Sequence, residues 1–345
     1  MPTVLAQDFS ACDWEVIVVV DGSRDGSVEY LRSLKPACKL TIIQQTNGGS
    51  AAARNVGVNG ASGDLVLLLD DDIVCDTKLV RTHVAAHDGR DSAVVTGRVI
   101  VSPDSPRSLA TELIRRGFEA YATALKRSGR PRSPYEVWVP ANSSLPRSLF
   151  LRVGGCDETL RRGHDDDLTI RLWNAGASFH FEPAALAWQY YVKTSAELVT
   201  ADGPINGRSE VFLGRRHPGY RPSSRLAHLM RPSAATRFGA CVSCRSPASP
   251  ELLLRPPCWA AEKLMSIPFF RQAGIHLLGR RIAVTVLRAA AAEAGSWQAL
   301  RRELGTALPA LRYHRVGRHA GPTANWLLRP SGSPSRWSGW RATAT

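Results

Sequence analysis

The last two-fifths of this chain are nearly free of acid. Residues 1–204 carry 22 Lys and Arg against 25 Asp and Glu, whereas residues 205–345 carry another 22 basic residues against only 5 acidic ones. The whole formal charge of +14 therefore lies in the second part. Such asymmetry predicts a catalytic part followed by a basic part that faces something anionic. Long apolar runs are also missing. Asp8 and Asp13 interrupt the opening residues, which argues against a secretory signal. Arg271, Arg280, Arg281 and Arg288 break the most apolar C-terminal stretch before it reaches the ~20 residues of a spanning helix. Cysteine is sparse and odd in number, seven in all. No dense disulfide framework is present, which points to a reducing compartment. Cys241 and Cys244 form a lone C-x-x-C with Cys258 further on, and no second pair completes the four ligands of a zinc site.

What is present is ample for a core. With 345 residues and 44% hydrophobic content, the chain suits one large domain plus an appendage. Glu15 to Val20 is a short apolar run ended by Asp21-Gly22-Ser23, the pattern of a buried strand running into a turn. A helix is expected over Ser27–Leu34, capped by the Ser27 hydroxyl. Leu40–Ile43 reads as a second strand, Asn47–Ser50 as a loop, and Ala51–Asn59 as a helix of small residues. Asp64–Leu69 is a third buried strand, and it runs into Asp70-Asp71-Asp72. Ala93–Gly97 is expected as a fourth strand, Leu109–Lys126 as a helix, and Asp165–Ala175 as an amphipathic helix stopped by Gly176. Strands alternating with helices predict an α/β fold on an open, mostly parallel sheet. Ligands of such sheets gather at the carboxyl ends of the strands, where Asp21 and the Asp70–Asp72 turn both fall.

Three carboxylates at the end of a buried strand repel one another unless a cation joins them. Mg²⁺ or Mn²⁺ suits such a corner, because it takes one or two protein carboxylates and completes its shell with phosphate oxygens and water. An acidic turn in solvent is the plainer reading, and the apolar strand aimed at the turn weighs against it. A second acidic group, Asp165-Asp166-Asp167 after Gly163-His164, opens a helix. Capping explains one carboxylate there; a general base for an acceptor hydroxyl explains another.

With these segments in order, the chain resembles the family 2 glycosyltransferases of the GT-A fold. The matching text is Glu15–Ser23, Asn47–Gly57, Gly63–Asp72, Asn142–Leu160 and Asp165–Gly176, within about residues 5–195. The resemblance implies that a nucleoside-diphosphate sugar is the donor and that Asp21, Ser23, Asn47, Gly48, Arg54, Asp70 and Asp71 line its site. Asp70 and Asp72 match the outer carboxylates of the D-x-D motif that holds Mg²⁺ or Mn²⁺. Asp165 matches the general base of an inverting transfer, and Trp138, Asn142, His164 and Asp166 would lie near the sugar or acceptor. The chain departs from the family in four places. The usual first strand and helix are absent, Val20 precedes Asp21 where an Asp is usual, His164 replaces a Glu, and Gln189 stands where a His is often found. Loss of a central strand would leave unpaired backbone on both neighbours, at about 1–3 kcal/mol for each buried group.

The resemblance divides the chain into a catalytic domain over 1–205, a basic helical extension over 206–316, and a Gly/Ser/Pro-rich tail over 317–345. The extension's arginines (Arg215, Arg216, Arg221, Arg225, Arg231 and Arg237, then Arg280, Arg281, Arg288, Arg301 and Arg302) suit a solvated surface or a peripheral contact with anionic lipid. No reading motif or aromatic series accompanies them, which argues against nucleic acid. A glycan or lipid-linked acceptor and a cytoplasmic location, peripheral at the inner membrane face, follow as expectations. Rival readings are a nucleotidyltransferase, which would need a basic glycine-rich loop after the first strand, and a non-catalytic binding protein.

Overall fold

The computed structural model describes residues 1–10, 13–128, 142–160, 162–230 and 250–305. Trp138, Arg231, Arg237, the Cys241/Cys244 pair and the tail from 317 lie outside the described residues. The chain opens with α1 (Pro2–Leu5), β1 (Glu15–Asp21), α2 (Ser27–Ser33), β2 (Lys39–Gln45), α3 (Ser50–Gly60) and β3 (Leu65–Leu69). β4 (Ile73–Cys75), α4 (Leu79–Ala86), β5 (Ala93–Val101), α5 (Leu109–Ser128), β6 (Asn142–Pro146) and α6 (Arg147–Arg152) follow. α7 (His164–Asn174) and β7 (Ser178–Gln189) complete the sheet region. The remaining helices are α8 (Ser195–Glu197), α9 (Gly203–Arg216), α10 (Arg225–Met230), α11 (Pro250–Lys263), α12 (Pro268–Glu293) and α13 (Trp297–Glu303).

The fold is α/β, with a mixed sheet flanked by helices. The expectation of one open, mostly parallel sheet needs two corrections. β1 runs parallel to β2 and β5 parallel to β7, but β3–β6, β5–β6 and β4–β7 are antiparallel. A continuous apolar run marks a strand covered on both faces; it carries no sign of its neighbour's direction. Moreover, the strands form two sheets: β1 with β2, and β3-β6-β5-β7-β4. Among the described residues β1 pairs only with β2 and β3 only with β6. α3 lies across the break. Its Ala51 and Val58 share a core with Val66 and Leu68 of β3, while its Gly57 backs onto Val19 of β1.

The helix predicted at Ser27 begins there, but its cap differs. Asp25 does the capping, its Oδ1 accepting from the Ser27 amide at 3.0 Å and from the hydroxyls of Ser27 and Ser23 at 2.6 Å. Ser27 is the first residue inside the helix, one place too late to cap it. Asp25→Ala should therefore lower the urea midpoint, and Ser27→Ala should lower it less.

β5 and β7 share a long parallel ladder with an irregularity after Gly97, which faces Glu182 while Arg98 faces Leu186. Gly97 is required by crowding. A Cβ there would stand 2.5 Å from the Ala185 carbonyl oxygen and closer still to the Asn142 amide. Gly97→Ala should destabilise the protein by about 1–3 kcal/mol, the range for overpacking, visible as a lower thermal midpoint. The C-terminal helices pack on the same body. α5 joins α11 and α12 around Leu109, Cys258, Ile275 and Leu278, and α9 meets α12 so closely that a Cβ at Gly207 would overlap the Val286 carbonyl oxygen.

Candidate functional site

The carboxyl ends of β1 and β3 place most of the predicted residues. Asp21, last in β1, has its carboxylate turned into the loop before α3. Oδ1 accepts from the Gly48 amide at 2.7 Å and from Gln45 Nε2 at 2.9 Å, and Oδ2 from the Gly49 amide at 2.8 Å. Partial desolvation would raise this carboxyl, but the three hydrogen bonds prevail and hold it below the usual range. Asn47 closes the same turn by donating to the Asp21 carbonyl at 3.3 Å. The structure thus brings Asp21, Asn47 and Gly48 together as a loop clamp at the N-terminus of α3. Ser23 is spent on Asp25.

Arg54, one turn into α3, is the hinge of the site. Its Nη2 donates to Asp70 Oδ1 at 2.8 Å, and its Nη1 forms an ion pair with Asp165 Oδ1. A single guanidinium therefore joins the acidic corner after β3 to the first turn of α7, across 111 residues of sequence from Arg54 to Asp165. Burial would lower the pKa of Arg54, and Asp165 and Asp70 more than offset that and raise it. Asp165 Oδ2 accepts from no described residue.

His164 sits beneath this pair, 5% exposed. Its Nε2 lies 2.9 Å from Arg54 Nη1 and 3.2 Å from Ser50 Oγ. Burial, ahead of the opposing pull of Asp165, lowers its pKa, so the ring is neutral. With Arg54 donating to Nε2, the proton belongs on Nδ1, a buried atom without a described partner. The ring holds the arginine in line, a positioning role beside the predicted sugar contact.

Asp72 is held from the other side. Gln189, last in β7, donates from Nε2 to Asp72 Oδ2 at 2.8 Å, and the Tyr190 amide donates to the Asp72 carbonyl at 2.9 Å. Asp72 Oδ1 is buried and has no hydrogen-bond partner among the described residues. Burial, and then the negative charges of Asp70 and Asp71, raise the Asp72 pKa despite the Gln189 bond. Asp71 is exposed at the tip of the turn. No group of three His, Cys, Asp or Glu among the described residues is arranged to hold a metal. The fit is instead to an ion that brings its own oxygens: an orphaned, electrostatically frustrated carboxylate beside Asp70 suits a divalent cation carried on a diphosphate.

The remaining predicted residues divide. Asp166 lies 24% exposed with Arg225 at 3.8 Å, so a C-terminal helix faces it. Asn142 is fully buried: its Oδ1 meets His83 Nε2 at 2.8 Å and its Nδ2 donates to Ala185 O at 2.9 Å. Burial pushes that histidine down to about 4, and Ser144 links it to His87. This polar cluster is structural and leaves Asn142 no face for a sugar. The side chain expected near the sugar or acceptor is thus engaged within the sheet.

Two features escaped the sequence. Asp167, also fully buried, is paired with Arg171 at 2.8 Å, His217 at 2.8 Å and Arg216 at 3.2 Å. The end of α9 is thereby tied to the base of α7, and nothing in the spacing of residues 167 and 217 announces that contact. The other is Arg54's double engagement, foreseeable only as a basic residue among acids.

These features define a GT-A-like fold whose acidic corner and helix-borne aspartate are joined by one arginine. Residues 3–140 match the family described as "Glycosyl transferase family 2". A pre-mycofactocin glycosyltransferase of Mycobacterium tuberculosis is 31% identical over 209 residues, covering 59% of this chain and 43% of its own length. A validoxylamine A glucosyltransferase of Streptomyces hygroscopicus subsp. jinggangensis is 30% identical over 195 residues, covering 49% of this chain and 46% of its own. The chain spans about half the length of the relatives it matches. Among solved structures, a mannosyltransferase of Pyrobaculum calidifontis in complex with GDP-Man and Mn²⁺ aligns over 83% of this chain and 81% of its own, with a TM-score of 0.56 at 17% identity. That likeness establishes the fold alone.

Proposed function

We propose that the chain transfers a sugar from a nucleoside-diphosphate sugar to an acceptor hydroxyl with inversion. The carrying observation is the bridge Asp70–Arg54–Asp165, which sets the donor-side corner and the candidate base within one guanidinium's reach. Asp21, Asn47 and Gly48 shape the loop that would receive the nucleotide. Asp70 and Asp72 would hold Mg²⁺ or Mn²⁺, which would neutralise the departing diphosphate. Asp165 takes the acceptor proton on its open Oδ2 while the acceptor oxygen forms its bond to the anomeric carbon. The bond from that carbon to the diphosphate breaks on the opposite face, and its electron pair leaves with the diphosphate. Arg54 keeps Asp165 aimed, and neutral His164 with Ser50 keeps Arg54 in place. The relatives' names and the GDP-Man and Mn²⁺ of the archaeal mannosyltransferase support the donor class.

The test is a panel of UDP- and GDP-sugars with and without Mn²⁺, following release of the nucleoside diphosphate and, in parallel, binding by calorimetry. Cation-dependent release from at least one donor is expected. Binding without release under any condition would favour a non-catalytic sugar-nucleotide binder, and neither would end the reading.

A further inference from the structure

We propose that the corner where α11 turns into α12 lies on an anionic membrane surface, with Trp259 and Phe269 seated at the level of the headgroups. The arginines that first suggest a lipid contact are largely spent inside the protein. Arg215 pairs with Glu293 and Glu303, Arg216 with Asp157 and Asp167, and Arg225 with Glu210 and Asp166. Arg281 is buried. The unspent surface is elsewhere. Trp259 is 66% exposed and Phe269 73%, with Leu264 and Ile267 exposed between them in sequence. Four large apolar side chains at one helical corner are more than the scattered exposure a soluble surface normally shows.

Their charged neighbours identify the occupant. Arg255, Trp259 and Lys263 follow at intervals of four on α11 and so share a face. Arg255, Lys263 and Arg271 are all exposed, and none makes an ion pair with a described residue. Between Leu253 and Arg280 the sole acid is Glu262, and both its oxygens are turned inward, to the Leu109 amide at 2.9 Å and to Ser195 Oγ at 2.8 Å. An indole and a phenyl ring rimmed by cations with no outward carboxylate match the interface of an anionic bilayer. No helix among the described residues is long and apolar enough to cross a membrane, so the contact is a lateral one.

The corner is also connected to the acidic turn through the chain. Asp72 is bonded to Gln189, the last residue of β7, and to Tyr190, and the chain continues through exposed Tyr190 and Val192 to Ser195, which grips Glu262 of α11. A short run of chain and one hydrogen bond thus connect α11 to the strand end that holds Asp72. This placement stands whether or not the chain transfers sugar.

Vesicle co-sedimentation of the full chain tests it, with phosphatidylglycerol/phosphatidylcholine vesicles against phosphatidylcholine alone at low salt. Binding to the anionic vesicles only is expected. Reversing Arg255, Lys263 and Arg271 to Glu should weaken it at least about a hundredfold, at about fivefold for each basic residue lost from such a surface and more for the negative charge put in its place. The same reversal at exposed Arg24, Arg32 and Lys35 should leave it nearly unchanged. Trp259→Ser with Phe269→Ser should also abolish binding, and gel filtration reports whether that variant stays folded and monomeric. Equal loss from the remote triple, equal binding to neutral vesicles, or no binding at all would overturn the proposal. So would a wild-type dimer that the Trp259/Phe269 variant dissolves, since the corner would then be an interface between copies.

Discussion

Asp165→Asn is expected to lower sugar transfer about 10²–10⁴-fold, the usual worth of a positioned acid or base, while KM for the donor hardly moves. The substitution keeps the shape of the side chain and removes its charge. Asp70 still holds Arg54 through Nη2 at 2.8 Å, so the guanidinium keeps an anchor and the donor loop at Asp21 is untouched. A loss confined to kcat separates a base from a mere prop, and Asp165→Glu should recover part of it. Arg54→Lys should behave differently: one ammonium cannot fork between two carboxylates, so kcat and stability should both fall. Full activity in Asp165→Asn would remove this residue from the chemistry.

Asp72→Asn is expected to pull stability and function in opposite directions. Burial and the neighbouring charges of Asp70 and Asp71 raise the Asp72 carboxyl, so the folded protein holds that proton more tightly than the unfolded chain does. Protonation thus favours the folded state. The associated stability is present at acid pH and fades as pH rises through the raised pKa, leaving an ionised carboxylate that weakens the fold at neutrality. The amide removes that penalty, so the variant in metal-free buffer should melt at a higher temperature at neutral pH. Mn²⁺-dependent binding of a nucleoside diphosphate should fall by at least the ~10–100-fold lost with a mere outer-sphere partner. Calorimetry with and without Mn²⁺ reads both. An unchanged Mn²⁺ requirement would contradict the assignment of Asp72 as a cation ligand, and a lower melting point would contradict the penalty on its ionised form.

Much of the framework around the candidate site could be read from the chain because local patterns carry it. The apolar runs over Val16–Val20 and Leu65–Leu69 became β1 and β3, and the acids at their ends fell where strand ends collect ligands. The helix at residue 165 was legible from its period and from Gly176, which has a positive φ of 83°. Strand direction was not legible, since β6 meets both β3 and β5 antiparallel and that choice is made by tertiary packing. β6 itself, Asn-Ser-Ser-Leu-Pro, is polar by composition yet fully covered, because His83, His87 and Thr96 satisfy its side chains. The ties from Asp167 to residues 216 and 217 depend on how α9 docks, and no local pattern encodes that.

The division between β1 and β3 bears on how this protein must be handled. Val16 to Val20 form an uninterrupted β-branched run with no lysine or proline to blunt it, and one side of its ladder meets no described backbone. Bare strand margins of that composition are templates for pairing between molecules. Concentrated solutions should therefore scatter light increasingly with time, and a lysine placed at Val18 should slow that growth.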